Sequence, residues 1–447
     1  MAELDPAWLE ELSEFVRIES VSADADRAGE VGRAAEWVRD FLRRAGGEAE
    51  LVETPTFPLV AGEVRASGRA NAPTVLVYGH FDVQPPGPPA EWDSPPFEAT
   101  IRDGWLYGRG TADDKGQLYT LLKAAELLAQ AGELPVNLRF ACDGEEETGG
   151  EEIVRYIEAD ERGADAAVIF DGAMLRPGAP VFYTATRGLL YLHLRVRTGE
   201  RDLHSGVFGG AALNAMHALM QTLQGVLPGD DGLPPEPLRA AVVRPTDDEL
   251  AAWGELEPGS QLLAEGGARP ADTRAADDFY LRTWAQPAVD VNGIAGGEAH
   301  LQKTVLPVEA EANVSIRLAP GQDADEIAEI MERLLNDAAP AGLELEISRW
   351  AKSEGALVSP DAPALRLAQD AFERVIGTRP VLIRVGGTLP IVVPLVAKGI
   401  PLVLTGFDVP DGNIHSPNER LLVEHIPLAV DAAREVFRGF ANLPAGG

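Results

Sequence analysis

The chain has 447 residues, 45% of them hydrophobic, which is enough for two or three ordinary domains with sizeable cores. It carries 71 acidic residues against 38 basic ones, a formal net charge of -33 at pH 7. That balance argues against a nucleic-acid binder, because a phosphate backbone would be repelled, and it favours cations. Most of the charge reads as solvated acidic surface. A single cysteine, Cys142, excludes an intrachain disulfide framework. The opening stretch, "MAELDPAWLEELSEFVRIES", is acidic and amphipathic, unlike a secretory signal. No apolar run reaches the ~18 residues that would span a bilayer. A soluble cytoplasmic protein is therefore expected, with neither nucleic acid nor membrane as partner.

In chain order, "PAWLEELSEFVRI" and "RAAEWVRDFLRRAG" space their apolar residues as helices do. The short β-rich runs "PTVLVYGH", "VNLRFACDG" and "AAVIFDG" follow, and between the first two lies the helical "KGQLYTLLKAAELLAQAG" with its terminal glycine. Strands alternating with helices predict an α/β fold, a mostly parallel sheet with helices on both faces. Near Arg187 the pattern changes. "GLLYLHLRVRTG" alternates like a half-exposed strand, and "GAALNAMHALMQTLQGVL" reads as a helix. After a stretch rich in Pro, Gly and Asp come the strand "EAEANVSIRLAP", the helix "ADEIAEIMERLLNDA" and the strand "LELEISRW". Beyond about Ser353 the first style returns, with helix "APALRLAQDAFERVIG", strands "PVLIRV" and "IPLVLTGF", and helix "PLAVDAAREVFRGF". The expected organisation is a discontinuous α/β domain, residues 1–186 and 355–447, with an inserted α+β domain at 187–354. The sequence shows no internal repeat.

The polar residues collect where such a sheet binds ligands, outside the carboxyl ends of its strands. His80 and Asp82 end one predicted strand, Glu145, Glu146 and Glu147 follow another, and Asp171 follows a third. His415 lies in the loop after "IPLVLTGF", and Asp113 and Asp114 precede a helix. Each signal is weak alone. A lone histidine at a strand end is more often a satisfied core or surface residue, and an aspartate pair before a helix can simply cap it. Together they form a transition-metal constellation, with more imidazole and carboxylate donors than one ion uses. Two ions sharing a bridging carboxylate, ~3.5–4 Å apart, would use them. Asp82 is placed to accept the second ring N–H of His80 and so fix its tautomer.

The segments "YGHFDVQPP", "LYGRGTADDKGQL", "GEEETGGEE", "DLHSGVFGG", "VSIRLAP" and "IHSPNE" run in order along nearly the whole chain. Together they resemble the dinuclear zinc metallopeptidases, the family of carnosinase, cytosolic nonspecific dipeptidase, acetylornithine deacetylase and succinyl-diaminopimelate desuccinylase. The similarity is greatest to the dipeptidase branch. The resemblance implies two divalent ions per subunit, Zn2+ first and Mn2+ or Co2+ as alternatives. It implies His80 and Asp171 on one ion, Glu147 and His415 on the other, and Asp113 bridging both. Glu146 would be the general base, Asp82 the residue orienting His80, and Glu145 a bystander. The inserted domain resembles a dimerisation lid that makes the active form a homodimer. Its His204 would reach the partner subunit's site, and its Arg317 would hold the substrate carboxylate. "VGGTLP" resembles a substrate-binding loop, here with Gly387 and Thr388, and with Val385 where many dipeptidase relatives carry an acid. The implied activity is hydrolysis of dipeptides or short peptides. A carboxypeptidase or N-acyl amino acid deacylase of the same fold is the alternative, against which Asp171 speaks, because those branches tend to have Glu there. A metal-stabilised binding protein without activity would be expected to lack a ligand or the base, and none is missing.

Overall fold

The computed structural model describes residues 4–69, 71–387 and 389–444. The chain divides into two compact units. One comprises the residues up to Thr184 together with Val358–Ile383 and those from Pro390 on; the other comprises Ala185–Leu357 and Arg384–Leu389.

The first unit is built on a six-stranded sheet in the order Glu48–Val52, Leu59–Val64, Asn137–Asp143, Thr74–His80, Ala166–Phe170 and Leu402–Thr405. The last four strands are parallel to one another, and Leu59–Val64 runs against its neighbours. Parallel strands covered on both faces must be apolar throughout. The residues of Ala166–Phe170 are accordingly all buried, as are Val75 to His80. The helix Lys115–Gln130 packs on the strands Thr74–His80 and Ala166–Phe170. It is buried on nearly every side because the helices Pro6–Val16, Ala28–Arg44 and His425–Phe440 pack against it in turn. The helices Glu151–Ala159 and Val392–Ala397 pack together and against the strands Asn137–Asp143 and Leu402–Thr405.

The second unit is a four-stranded antiparallel sheet in the order Ala288–Gly296, Glu309–Leu318, Gly188–Arg197 and Glu344–Ser353. Period-2 alternation puts Leu190, Leu192, Leu194 and Val196 on one face. There they form a core with Leu219 and Leu223 of the helix Ala215–Leu223 and with Ile327, Met331 and Leu335 of the helix Ala324–Ala338.

Two sequence expectations shift, and one strand falls where the sequence pattern predicts none. The helix read in "GAALNAMHALMQTLQGVL" begins only at Ala215, because the Asn214 side chain accepts from the N–H groups of Met216 and His217 and caps it there. The strand Val381–Val385 lies outside the six-stranded sheet, and the Thr184 hydroxyl donates to its Ile383 carbonyl (3.0 Å). The strand Ala288–Gly296 falls where the residues show no clear alternation, since its pairing slips between Val291 and Gly293.

Candidate metal centre

The parallel strands of the first unit bring their carboxyl ends to one edge. His80 is the last residue of Thr74–His80 and is fully buried. Asp171 follows Ala166–Phe170 directly, and its N–H donates to the Thr405 carbonyl of the neighbouring strand (3.0 Å). Glu146 and Glu147 open the short helical turn after Asn137–Asp143. Asp113 sits just before the helix Lys115–Gln130, and the Asp113–Asp114 peptide is cis. His415 lies in the loop after Leu402–Thr405 with a φ of 59°. Positive φ is unusual for a residue with a side chain and points to an imposed position.

These residues form two groups of three. The nitrogen and oxygen atoms of His80, Asp113 and Asp171 lie within 4.8 Å of one another, and so do those of Asp113, Glu147 and His415. Asp113 belongs to both. Its Oδ1 is 3.0 Å from His80 Nε2, and its Oδ2 is 2.9 Å from His415 Nε2. His80 Nε2 is 3.9 Å from Asp171 Oδ1 and 4.0 Å from Glu146 Oε2, while His415 Nε2 is 3.2 Å from Glu147 Oε2. The other ring nitrogen of His80, Nδ1, is 3.2 Å from Asp82 Oδ1.

Asp82 is buried and also accepts from the backbone N–H groups of Glu146 and Glu147 (3.2 Å each) and from the Ser22 hydroxyl (2.6 Å). One carboxylate therefore orients an imidazole and anchors the glutamate turn. Gln84 holds Glu147 from its backbone N–H (3.1 Å) and its side-chain amide (2.8 Å). Glu145 is turned away, accepting from the Glu152 N–H (2.9 Å) and from the Thr56 hydroxyl. Asp114 does not cap the helix with its side chain; it accepts from the His80 N–H (3.1 Å). Ser22, Gln84, Arg109 and Glu419 do not stand out in the sequence. The last three lie inside the motif segments, which is the only signal they carry, and Ser22 carries none.

In the second unit His204 is exposed, and its Nδ1 accepts from the Gly206 N–H (2.9 Å). Arg317, half-buried, stands across from Leu189 and Ala288 in its sheet. Gly387 is exposed, and Thr388 lies outside the described residues.

The electrostatics of the cluster is lopsided. Burial pushes the Asp171 carboxyl up to about 7; His80 opposes this, and Asp113 and Glu147 add to it. Glu146 rises to about 9, again chiefly through burial, with Asp171 and Asp113 outweighed only in part by His80. His415 is raised to about 10 by its bonds to Asp113 and Glu147. Burial alone would raise Asp113, but the two imidazoles hold it well below the usual range. The carboxylates outnumber the imidazoles, so a metal-free site must take up protons near neutral pH. The donor set, oxygen and imidazole nitrogen in threes with one shared carboxylate, fits two divalent cations.

A pH dependence follows. Each of these three groups titrates above its ordinary value, so its contribution to metal-free stability is complete at acid pH and is lost as pH rises through about 7, 9 and 10. Metal-free protein is expected to melt at lower temperature at pH 9 than at pH 6. Added divalent ion should displace at least about one proton at pH 7. Calorimetry in buffers of different ionisation enthalpy reads that proton; a heat independent of buffer would contradict it.

A sheet whose carboxyl edge carries two imidazole–carboxylate groups on a common aspartate is the layout of a metal-dependent hydrolase. The profile of peptidase family M20/M25/M40 matches residues 76–438, and the chain belongs to that family. Over 94% of its length it is 31% identical to 93% of a cysteinylglycine-S-conjugate dipeptidase from Corynebacterium striatum. Among solved structures it resembles human carnosine dipeptidase 1, with 25% identity and a TM-score of 0.75 over 98% of this chain and 96% of that one. It also resembles an M20 family metallo-carboxypeptidase from Sulfolobus solfataricus, with 26% identity and a TM-score of 0.83 over 98% of this chain and all of that one. The protein is a metal-dependent peptidase. No helix among the described residues is long and apolar enough to cross a membrane.

Proposed function

We propose that this chain is a cytoplasmic dipeptidase that works as a homodimer with two Zn2+ ions per subunit. The observation that carries the metal reading is the division of the Asp113 oxygens between His80 and His415. His80 and Asp171 would hold one ion, Glu147 and His415 the other, and Asp113 would bridge them. When bound, the ions lower the pKa of water and polarise the peptide carbonyl.

The rest is done by side chains. Glu146 stands beside His80 at 4.0 Å without belonging to either group of three. It accepts the proton of the attacking water and hands it to the leaving amine. Its upward shift, to about 9 in the metal-free site, would be opposed by nearby cations, which favour the carboxylate that takes up the proton. Asp82 keeps the His80 ring in one orientation. Arg317 binds the substrate carboxylate, with Gly387 and Thr388 as further substrate-binding residues. His204 of the partner subunit stabilises the oxyanion. Exposure of His204 agrees with a role outside its own unit. Mixing His204→Ala protein with Glu146→Gln protein should restore part of the activity through hybrid dimers. Proven subunit exchange with no recovery would remove the role in trans.

A carboxypeptidase is the second reading, supported by the likeness to the Sulfolobus solfataricus enzyme. Chelator-treated protein, given back Zn2+ or Mn2+, separates the two on a panel of dipeptides, longer peptides and N-acyl amino acids. Metal-dependent cleavage confined to dipeptides is expected. Trimming of longer peptides from the carboxyl end, or cleavage of only the acylated amino acids, would overturn it.

A further inference from the structure

Glu419 is fully buried and lies four residues beyond His415. Its Oε1 accepts from the backbone N–H groups of Ala112 (2.9 Å) and Asp113 (3.1 Å), and its Oε2 accepts from the Gly110 N–H (3.0 Å) and from Arg109 Nη1 (2.7 Å). Its own carbonyl accepts from the Gly108 N–H (3.0 Å). One side chain thus gathers three orphan donors of the loop that delivers Asp113. Arg109, also buried, donates its Nη2 to the Pro85 carbonyl (3.3 Å) and the Ser416 carbonyl (3.3 Å). Pro85 follows His80 and Asp82 in sequence; Ser416 follows His415. The ion pair therefore ties together the three segments that carry His80, Asp113 and His415.

We propose that Glu419, acting with Arg109, is a positioning residue of the dinuclear centre. It sets the place of the shared carboxylate, and hence the affinity of both ions, without touching either. The proposal rests on the dinuclear reading above. A buried ion pair is weak evidence of stabilisation, because desolvation offsets most of the attraction. The same number of donors could be satisfied in a relaxed loop. What the carboxylate adds is geometry: a glutamine would place its amide NH2 against N–H groups on one side, and the loop would have to move.

The test titrates metal-free protein with Zn2+ against a competing chelator and records melting of the metal-free form alongside. Glu419→Gln is expected to weaken both ions together by ~10–100-fold. The control is Glu249→Gln, which opens the buried Glu249–Arg384 ion pair of the second unit (2.8 Å); it should lower the melting temperature and leave Zn2+ affinity unchanged. Both ions held at wild-type affinity by Glu419→Gln would overturn the proposal. So would an equal loss of affinity in the control, since the effect would then be general destabilisation. Should Glu419→Gln not fold, Arg109→Lys decides, because it keeps the charge and removes the fork that reaches Pro85 and Ser416. A tenfold or greater loss of affinity supports the assignment, and none overturns it. Failure of the wild-type protein to bind two ions would instead remove the dinuclear reading itself.

Discussion

Replacing Glu146 by glutamine is expected to cut turnover by ~10²–10⁴-fold, equivalent to ~3–5 kcal/mol of barrier, with both ions still bound. Glutamine keeps the shape and the hydrogen-bonding reach of the side chain but can neither take a proton nor return one. The backbone N–H of residue 146 would still donate to Asp82, so the turn that carries Glu147 should stay in place. Loss of turnover without loss of metal thus separates proton transfer from structure. KM for a dipeptide should change little, because the side chain makes no proposed contact with the bound substrate's charged ends. Near-normal turnover in Glu146→Gln protein would exclude Glu146 as the base. Loss of an ion along with activity would recast it as a ligand.

The second large effect is expected at Asp113. His415→Ala removes a donor from one group of three only, and metal analysis should show one ion retained near wild-type affinity. Asp113→Asn changes the residue common to both groups, so both ions should weaken, and dialysed protein should retain fewer than one per chain. An amide offers one oxygen in place of two and carries no charge, while His80 and His415 sit on opposite oxygens of the native carboxylate. Asp114→Asn is the comparison, since the Asp114 side chain accepts from the His80 backbone N–H and belongs to neither group of three. Retention of two ions by Asp113→Asn would rule out a shared ligand.

The α/β sheet and the strand-end residues were legible in the sequence because both follow from short-range pattern. Continuous apolar runs mark covered parallel strands, and a polar residue just past such a run has one place to be. His80, Asp171, Glu146 and Glu147 therefore fall on one edge by pattern, joined by His415 in the loop after a strand and Asp113 just before a helix, and the motif resemblance adds the role each would play. The supports were not legible. Ser22 meets Asp82 across 60 residues of chain, and Glu419 meets the Asp113 loop across 306, so neither pairing leaves a local periodicity. The positive φ of His415 is likewise decided by what surrounds the backbone, whereas the Asn214 cap is local, its side chain accepting from N–H groups two and three residues on. The strand Ala288–Gly296 escaped notice because a bulge breaks the alternation on which strand reading depends.

The sheet is closed by a strand from late in the chain. Leu402–Thr405 pairs with Ala166–Phe170 in register from Ala167 with Leu402 to Phe170 with Thr405, and roughly 230 residues lie between them. At ~5–20 residues per second, a ribosome needs ~10–50 s to supply the missing neighbour. During that interval "AAVIF" is a bare apolar edge, the kind of surface that recruits strands from other chains. The intervening Ala185–Leu357 segment brings most of a second core and can begin to fold while the edge waits. His415 emerges later still, so no nascent chain can bring both imidazoles onto Asp113 until the loop after Leu402–Thr405 has been made.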